Sequence, residues 1–218
     1  SFLGFWALFF RIIQPMLLEK LRQVTKRIFD QPVLYDARKI LLGGWPFEST
    51  LSLLDSTGSD VILDVGCGTG HFSEKIRFRQ YYGFDNDAKA LQVATRRKVP
   101  NAVFQMGDIR HFNFQGLKPT KTILSGVLHH LSDDEAVRLL NDLAPIVSRW
   151  IVTEDPVYAR YHVLNNLLCR LDRGAYVRTE EEMLALIAKT NLTLEKKSVF
   201  YSNTRISKHI AFRLVPSR

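Results

Sequence analysis

The chain has 218 residues, 46% hydrophobic and 24% charged, with a formal net charge of +8. That length is enough for one α/β domain with a little extra, and the balance is ordinary for a soluble globular protein. The basic residues form no long run, which argues against a dedicated nucleic-acid arm, and two cysteines, Cys67 and Cys169, cannot build a disulfide framework, so a reducing cytoplasm is the simplest compartment.

Residues 1–21, SFLGFWALFFRIIQPMLLEKL, are rich in large apolar side chains. They do not read as a secretory signal, because no basic region precedes the apolar run and no small-residue cleavage site follows it. They do not read as a spanning helix either, since Arg11, Gln14 and Pro15 interrupt the run. Leu17, Leu21, Val24 and Ile28 then recur at helical spacing, and a second helix is expected to end at Gly43-Gly44. Residues 1–44 are therefore expected to be an N-terminal helical cap, with 45–218 as the main domain. The cap is open to several roles: a lid, an oligomer contact, simple packing on its own domain, or a membrane-surface helix using its Trp, Phe and basic side chains. The last would place a cytoplasmic protein peripherally at the inner membrane face.

After the cap, strands and helices alternate. DVILDV, YYGFD, AVFQMGD, KTILSGV and RWIVTEDP read as short, buried strands. HFSEKIRFR and DAKALQVATRRK read as helices between them. SDDEAVRLLNDLAPIV and RTEEEMLALIAKT read as helices that start with capping boxes, Ser132 with Glu135 and Thr179 with Glu182. LTLEKKSVFYS and HIAFRLV look like a closing antiparallel pair. The pattern predicts an α/β fold with a mostly parallel sheet, and it directs the search for chemistry to the loops after the strands.

VILDVGCGTG runs from the first strand into Gly66, Gly68 and Gly70. The spacing is G-x-G-x-G, unlike the G-x-G-x-x-G of a dinucleotide site. Asp64 suits a cofactor that carries an ammonium and a sulfonium better than one that carries a pyrophosphate. Asp85 ends the second strand, where a carboxylate can accept ribose hydroxyls. Asp108 ends the third, where it can accept from an adenine amino group while Ile109 packs on the ring. Cys67 reads as a small filler inside the turn.

LDVGCGTG, YGFDND, GDI and LSGVLHHLSDDEAVRLL stand in the order that resembles the class I S-adenosylmethionine-dependent methyltransferases, over about residues 34–215. The likeness is nearest to the bacterial small-molecule and lipid type. It implies a Rossmann-like sheet of seven strands, mostly parallel with an antiparallel C-terminal strand, and helices on both faces. It also implies a cofactor site. The glycine turn would meet the methionine part, Asp85 with Asn86 beside it the ribose, and Asp108 with Ile109 the adenine. Ser125 and Gly126 would lie near the methyl group, and Tyr35 or Arg38 would close over the carboxylate. One departure is the segment APIVSRW, where such enzymes often have a Gly-Gly turn before strand five.

For acceptor chemistry the candidates are His130, His129 and Asp155, which follow strands four and five. Asp172, Arg173 and Arg178 form an ionisable group read either as an anion contact or as ion pairs holding a lid. His71, His111, His162 and His209 are scattered without metal-ligand spacing, so no metal is expected. The expected acceptor is a hydrophobic small molecule or lipid-like compound, and no nucleic acid. The alternatives are a nicotinamide-dependent oxidoreductase and a non-catalytic S-adenosylmethionine-binding module that docks on membranes. Oligomeric state is left open.

Overall fold

The computed structural model describes residues 47–111, 114, 116–172 and 174–217. The expected cap over residues 1–44, with Tyr35 and Arg38, lies outside them, as does Arg173.

The strands are β1 (Val61–Val65), β2 (Gln80–Asp85), β3 (Ala102–Met106), β4 (Lys121–Ser125), β5 (Trp150–Pro156), β6 (Leu192–Tyr201) and β7 (Lys208–Pro216). They form one sheet in the order β3-β2-β1-β4-β5-β7-β6. The first five pair in parallel, and β7 runs antiparallel to both β5 and β6. The order reverses between β1 and β4, and in such sheets the crevice beyond the strand ends at that point is the ligand site. The helices are α1 (Phe47–Leu54), α2 (Ala88–Arg96), α3 (Asp133–Leu143), α4 (Val163–Leu171) and α5 (Glu180–Ile187). Both expected capping boxes are present, at Ser132 with Glu135 and at Thr179 with Glu182. None of the described helices is long and apolar enough to cross a membrane.

Alternation along the strands builds two cores. Leu63, Leu124, Ile151 and Phe212 share one cluster with Leu139, Leu140 and Leu143 of α3 and Met183, Leu186 and Ile187 of α5. Their neighbours Ile62, Ile123, Val152 and Ala211 share the other with Leu53 and Leu54 of α1. Successive side chains in a strand point to opposite faces, so strands apolar at every position must be covered on both.

Two segments differ from the sequence expectation. The helix expected over 71–79 is a short 3₁₀ turn, His71–Glu74. Beyond it Ile76 and Phe78 pack on the second core at extended spacing, because the chain must reach the start of β2. The second is α4, absent from the expected pattern. Its buried face carries Asn165 and Cys169, while Val163, Leu164 and Leu167 are exposed. Asn165 is buried because its amide donates to the Val157 carbonyl at 2.9 Å and its Oδ1 accepts from the Lys208 amide at 2.7 Å.

The amino-terminal end of the sheet is a charged seam. Lys121 (0% exposed) donates to Oδ2 of Asp60 (2% exposed) at 2.8 Å and to the Asp55 carbonyl. Carbonyls in the last turn of α1 lack helical partners. Arg213 donates to that of Leu53 at 2.6 Å and Trp150 to that of Leu54 at 3.0 Å. Lys121 and Arg213 both lie over the Trp150 ring, 4.5 and 4.3 Å from its centroid.

Burial alone would raise the Asp60 pKa, but hydrogen bonds from Lys121, Thr120 and Thr57 hold it below the usual carboxylate value. Its contribution to stability is therefore present above about pH 4, the unfolded value, and is lost as the pH falls through the lower folded one. Asp60→Ala should destabilise the fold by about 3–5 kcal/mol at pH 7, because it strands a buried ammonium. Denaturant titration should show the gap between wild type and variant shrinking as the pH drops below 4.

Candidate functional site

The glycine turn after β1 is stitched to β2. The amides of Gly66 and Cys67 both donate to the Phe84 carbonyl, at 2.8 and 3.0 Å. Gly68 donates to Oδ2 of Asp85 at 2.7 Å, and the Asp87 amide donates to Oδ1 at 2.8 Å. Arg97, just past α2, closes the outside of the loop by donating to the Thr69 carbonyl at 2.6 Å and pairing with Glu74. Asp85 is thus a strut for the turn, with each carboxylate oxygen keeping further acceptor capacity.

The three glycines do different jobs. All have positive φ: 75° at Gly66, 53° at Gly68 and 70° at Gly70. A Cβ on Gly66 would sit 2.6 Å from Val127, and one on Gly70 would sit 2.8 Å from the Phe104 ring and 2.9 Å from Ala94. A Cβ on Gly68 would meet nothing within 4 Å. Gly66 and Gly70 are small because protein packs against them, whereas Gly68 faces open space. Cys67 is buried, and burial, with Asp64 and Asp85 nearby, pushes its thiol pKa up, so it stays a neutral filler.

Asp64 is buried, 1% exposed, and accepts a hydrogen bond from the Tyr81 hydroxyl. No sequence signal pointed to Tyr81, which lies a strand away. Asp108 is partly exposed and gripped by Arg110, whose Nε and Nη2 donate to its two oxygens at 3.0 and 2.9 Å. Ile109 packs against the first core, and Asn86 is exposed beside Asp85.

Across the strand reversal, Ser125 donates to Glu154 Oε2 at 2.5 Å, and Gly126 donates to the Glu154 carbonyl at 2.7 Å. Glu154 Oε1 in turn pairs with buried His209 at 2.6 Å. Next to it, His129 and Asp155 form a buried pair, Nδ1 to Oδ1 at 2.8 Å, and the His129 amide donates to the same oxygen at 3.1 Å. Nε2 of His129 lies 3.2 Å from Oδ1 of Asp172, at the end of α4. Burial would lower the His129 pKa, but the two carboxylates outweigh it and raise the value to about 10. The exposed His130 ring lies beside His129, with centroids 4.1 Å apart.

Arg178 braces this turn. It donates to the carbonyls of Leu128 and Leu131, both at 2.8 Å, and pairs with Asp133 at 2.8 Å. Of the two sequence readings of Asp172 and Arg178, the structure puts both in ion pairs that tie the loop before α5 to the turn after β4.

Of the positions singled out in sequence, Asp64, the three glycines, Asp85, Asp108, Ser125, His129, His130 and Asp155 thus lie at or just past the carboxyl ends of β1 to β5. Residues 62–149 match the family described as methyltransferase domain. The matched stretch, which runs from β1 to the residue before β5, is similar to a methyltransferase domain. An uncharacterised methyltransferase of Anoxybacillus flavithermus is 22% identical over 142 residues, covering 63% of this chain and 66% of that protein. The chain thus spans just under two thirds of that relative. Among solved structures, the magnesium protoporphyrin IX methyltransferase of Synechocystis with bound SAH is 16% identical with a TM-score of 0.63, covering 89% of this chain and all of that one (100%). A putative methyltransferase in complex with the Haloferax volcanii Trm112 activator reaches a TM-score of 0.71 at 12% identity, covering 87% of this chain and 96% of that chain. These likenesses establish the fold.

The glycines separate by substitution. Gly70→Ala should cost about 2–5 kcal/mol, from left-handed strain of about 1–2 and overpacking of about 1–3. Gly68→Ala should cost only the strain. Thermal melts of the two variants should show the larger drop for Gly70→Ala, and equal drops would mean Gly68 is not open-sided.

Proposed function

We propose that the protein transfers a methyl group from S-adenosylmethionine to a hydrophobic small-molecule or lipid-like acceptor. The observation that carries the cofactor half is Gly68, a positive-φ glycine with open space where a side chain would be, tethered to the carboxylate at the end of β2. A ligand can approach that backbone as it could not approach a residue with a Cβ. In this reading Gly66, Cys67, Gly68, Gly70 and Asp64 shape the methionine end, Asp85 and Asn86 hold the ribose, and Asp108 with Ile109 hold the adenine. Ser125 and Gly126 line the space between the two halves of the sheet. Tyr35 and Arg38 remain candidates for closing the site. S-adenosylmethionine supplies an electrophilic methyl on a sulfonium.

The acceptor half rests on position and polarity. His129 and His130 follow β4, Asp155 ends β5, and α4 carries exposed Tyr161, Val163, Leu164 and Leu167 at or just before its first turns. Exposed apolar side chains near a cofactor crevice favour an apolar acceptor. In this reading the protein's task is to hold the acceptor atom in line with the methyl and keep water out. Asp155 acts through His129, as its oxygen is taken by the imidazole and amide of that residue.

Calorimetry should show binding of S-adenosylmethionine and S-adenosylhomocysteine and none of NADH. Asp85→Ala should weaken that binding by about 1–3 kcal/mol, and Gly68→Ala should weaken it far more than its modest stability cost suggests. His130→Ala should leave this affinity unchanged while labelled-methyl transfer to the native acceptor falls. Tight NADH binding with none of S-adenosylmethionine would overturn the reading.

A membrane surface as the acceptor's location is supported by residues 1–29, which combine Phe2, Phe5, Trp6, Phe9 and Phe10 with Lys20, Arg22, Lys26 and Arg27. Flotation with anionic vesicles should occur at low salt and weaken at high salt. Removal of residues 1–13 should reduce it without loss of cofactor binding, and no flotation of the intact chain at low salt would rule this location out.

A further inference from the structure

The turn after β4 holds more than an ion pair. His129, His130 and Asp172 each offer a ligand atom, and these three atoms lie within 4.8 Å of one another. Among the described residues no other group of three His, Cys, Asp or Glu side chains does this. The sequence expectation of no metal rested on the spacing of His71, His111, His162 and His209, none of which belongs to this group. We infer that His129, His130 and Asp172 form a binding site for a first-row divalent transition-metal ion, of which Zn²⁺ is the test case.

Geometry supports this first. His129 Nε2 and Asp172 Oδ1 are 3.2 Å apart. In a tetrahedral site with bonds of about 2.0–2.1 Å, neighbouring ligand atoms are separated by about 3.3–3.4 Å. The pair needs almost no movement to share an ion.

Support for the ligands comes next. A metal-binding imidazole usually donates its other nitrogen to a carboxylate, which fixes the ring and the tautomer. Asp155 does this for His129 at 2.8 Å, from a position only 1% exposed. Its oxygen is itself held by the His129 amide. Asp172 is likewise fixed, accepting from the Gly174 amide at 2.8 Å, and the Tyr176 amide donates to the His129 carbonyl at 2.9 Å. A Cβ on Gly174 would come within 2.0 Å of the His129 ring, so the loop carrying Asp172 can approach this closely only with glycine there.

Charge points the same way. Two carboxylates flank one imidazole, Asp155 at Nδ1 and Asp172 at Nε2, and a divalent ion at Nε2 would meet that concentration of negative charge. Two imidazoles and one carboxylate suit Zn²⁺, Co²⁺ or Fe²⁺, whereas Mg²⁺ prefers an all-oxygen shell. Three protein ligands leave an open coordination position, as in catalytic rather than structural sites. His130 is exposed and Asp172 partly so, which leaves an entry path.

The consequence for chemistry rests on the methyltransferase reading, although the site itself does not. The site lies on the turn after β4, where the methyltransferase reading puts the acceptor, and an open position there would take an oxygen donor. An acceptor hydroxyl bound there would release its proton to water more readily. The acceptor class is then an apolar molecule bearing a hydroxyl.

The test is direct titration of the full chain, stripped with chelator, with ZnCl₂, CoCl₂ and MgCl₂ in turn. One equivalent of Zn²⁺ should bind, Co²⁺ should give visible absorption bands, and Mg²⁺ should not compete. His130→Ala and Asp172→Asn should each lower Zn²⁺ affinity at least tenfold, and Asp155→Asn should lower it by about 10–100-fold. His111→Ala, at an exposed histidine outside the group, should not change it. Absence of Zn²⁺ binding in the wild type would overturn the proposal and leave the cluster as an ion-pair latch. So would unchanged affinity in His130→Ala, an exposed position whose fold can be verified by thermal melting. S-adenosylhomocysteine binding, measured separately with chelator present, distinguishes the two readings: its loss would sink the methyltransferase reading without touching the metal result.

Discussion

A strand buried on both faces can present chemistry only at its ends. That constraint organises this protein. β1, β4 and the middle of β5 are apolar or paired at nearly every position, because helices cover both sides of the sheet. The ionisable groups are therefore pushed to two rims. At the amino-terminal rim they are locked into the buried groups Asp60, Lys121 and Arg213, the two cations packing over Trp150 at the end of α1. At the carboxyl-terminal rim they sit beside glycines and 3₁₀ turns, where backbone geometry leaves space. One rim holds the fold together and the other has room for a ligand.

The second rim is held by backbone more than by side-chain packing. Phe84 accepts two amides of the glycine turn, Asp85 accepts two more, and Arg178 satisfies two carbonyls of the turn after β4. The buried ones among these groups, the Cys67 amide and the Leu128 and Leu131 carbonyls, would otherwise be left unpaired at a penalty of about 1–3 kcal/mol each. The same contacts set the shape of the crevice, so a substitution at Asp85 or Arg178 changes structure and site together. Gly68 is the exception, since nothing of the protein leans on it.

Much of this was legible because it depends on local sequence. The glycine spacing, the acids at the end of β2 and just past β3, the alternating strands and both capping boxes are short-range patterns, each set by backbone rules. What escaped depends on pairs distant in sequence. Asp64 reads as an acid aimed at a cofactor, yet its nearest partner is Tyr81 on the neighbouring strand. α4 hides because its buried face is chosen for hydrogen bonding by Asn165, so hydrophobic periodicity gives no sign of it. His129 meets Asp172 only because α4 folds back across the end of β5, and neither residue predicts the other. The 3₁₀ turn at His71 replaces a helix because the link to β2 is too short to hold one and still cross the sheet.

The strand order divides the site in the same way. The β1-β2-β3 half carries the glycine turn, Asp85 and Asp108, all contributed by segments that directly follow their strands. The β4-β5 half carries the histidine turn, but its partners arrive from α4 and from the loop before α5. Under the proposed function the cofactor meets the first half, where strand and loop are contiguous, and the acceptor meets the second half, where the contacts are assembled from three separate segments. Under that function, cofactor recognition therefore follows from the sheet and the turns attached to it, while acceptor recognition depends on how α4 and its flanking loops meet the end of β5.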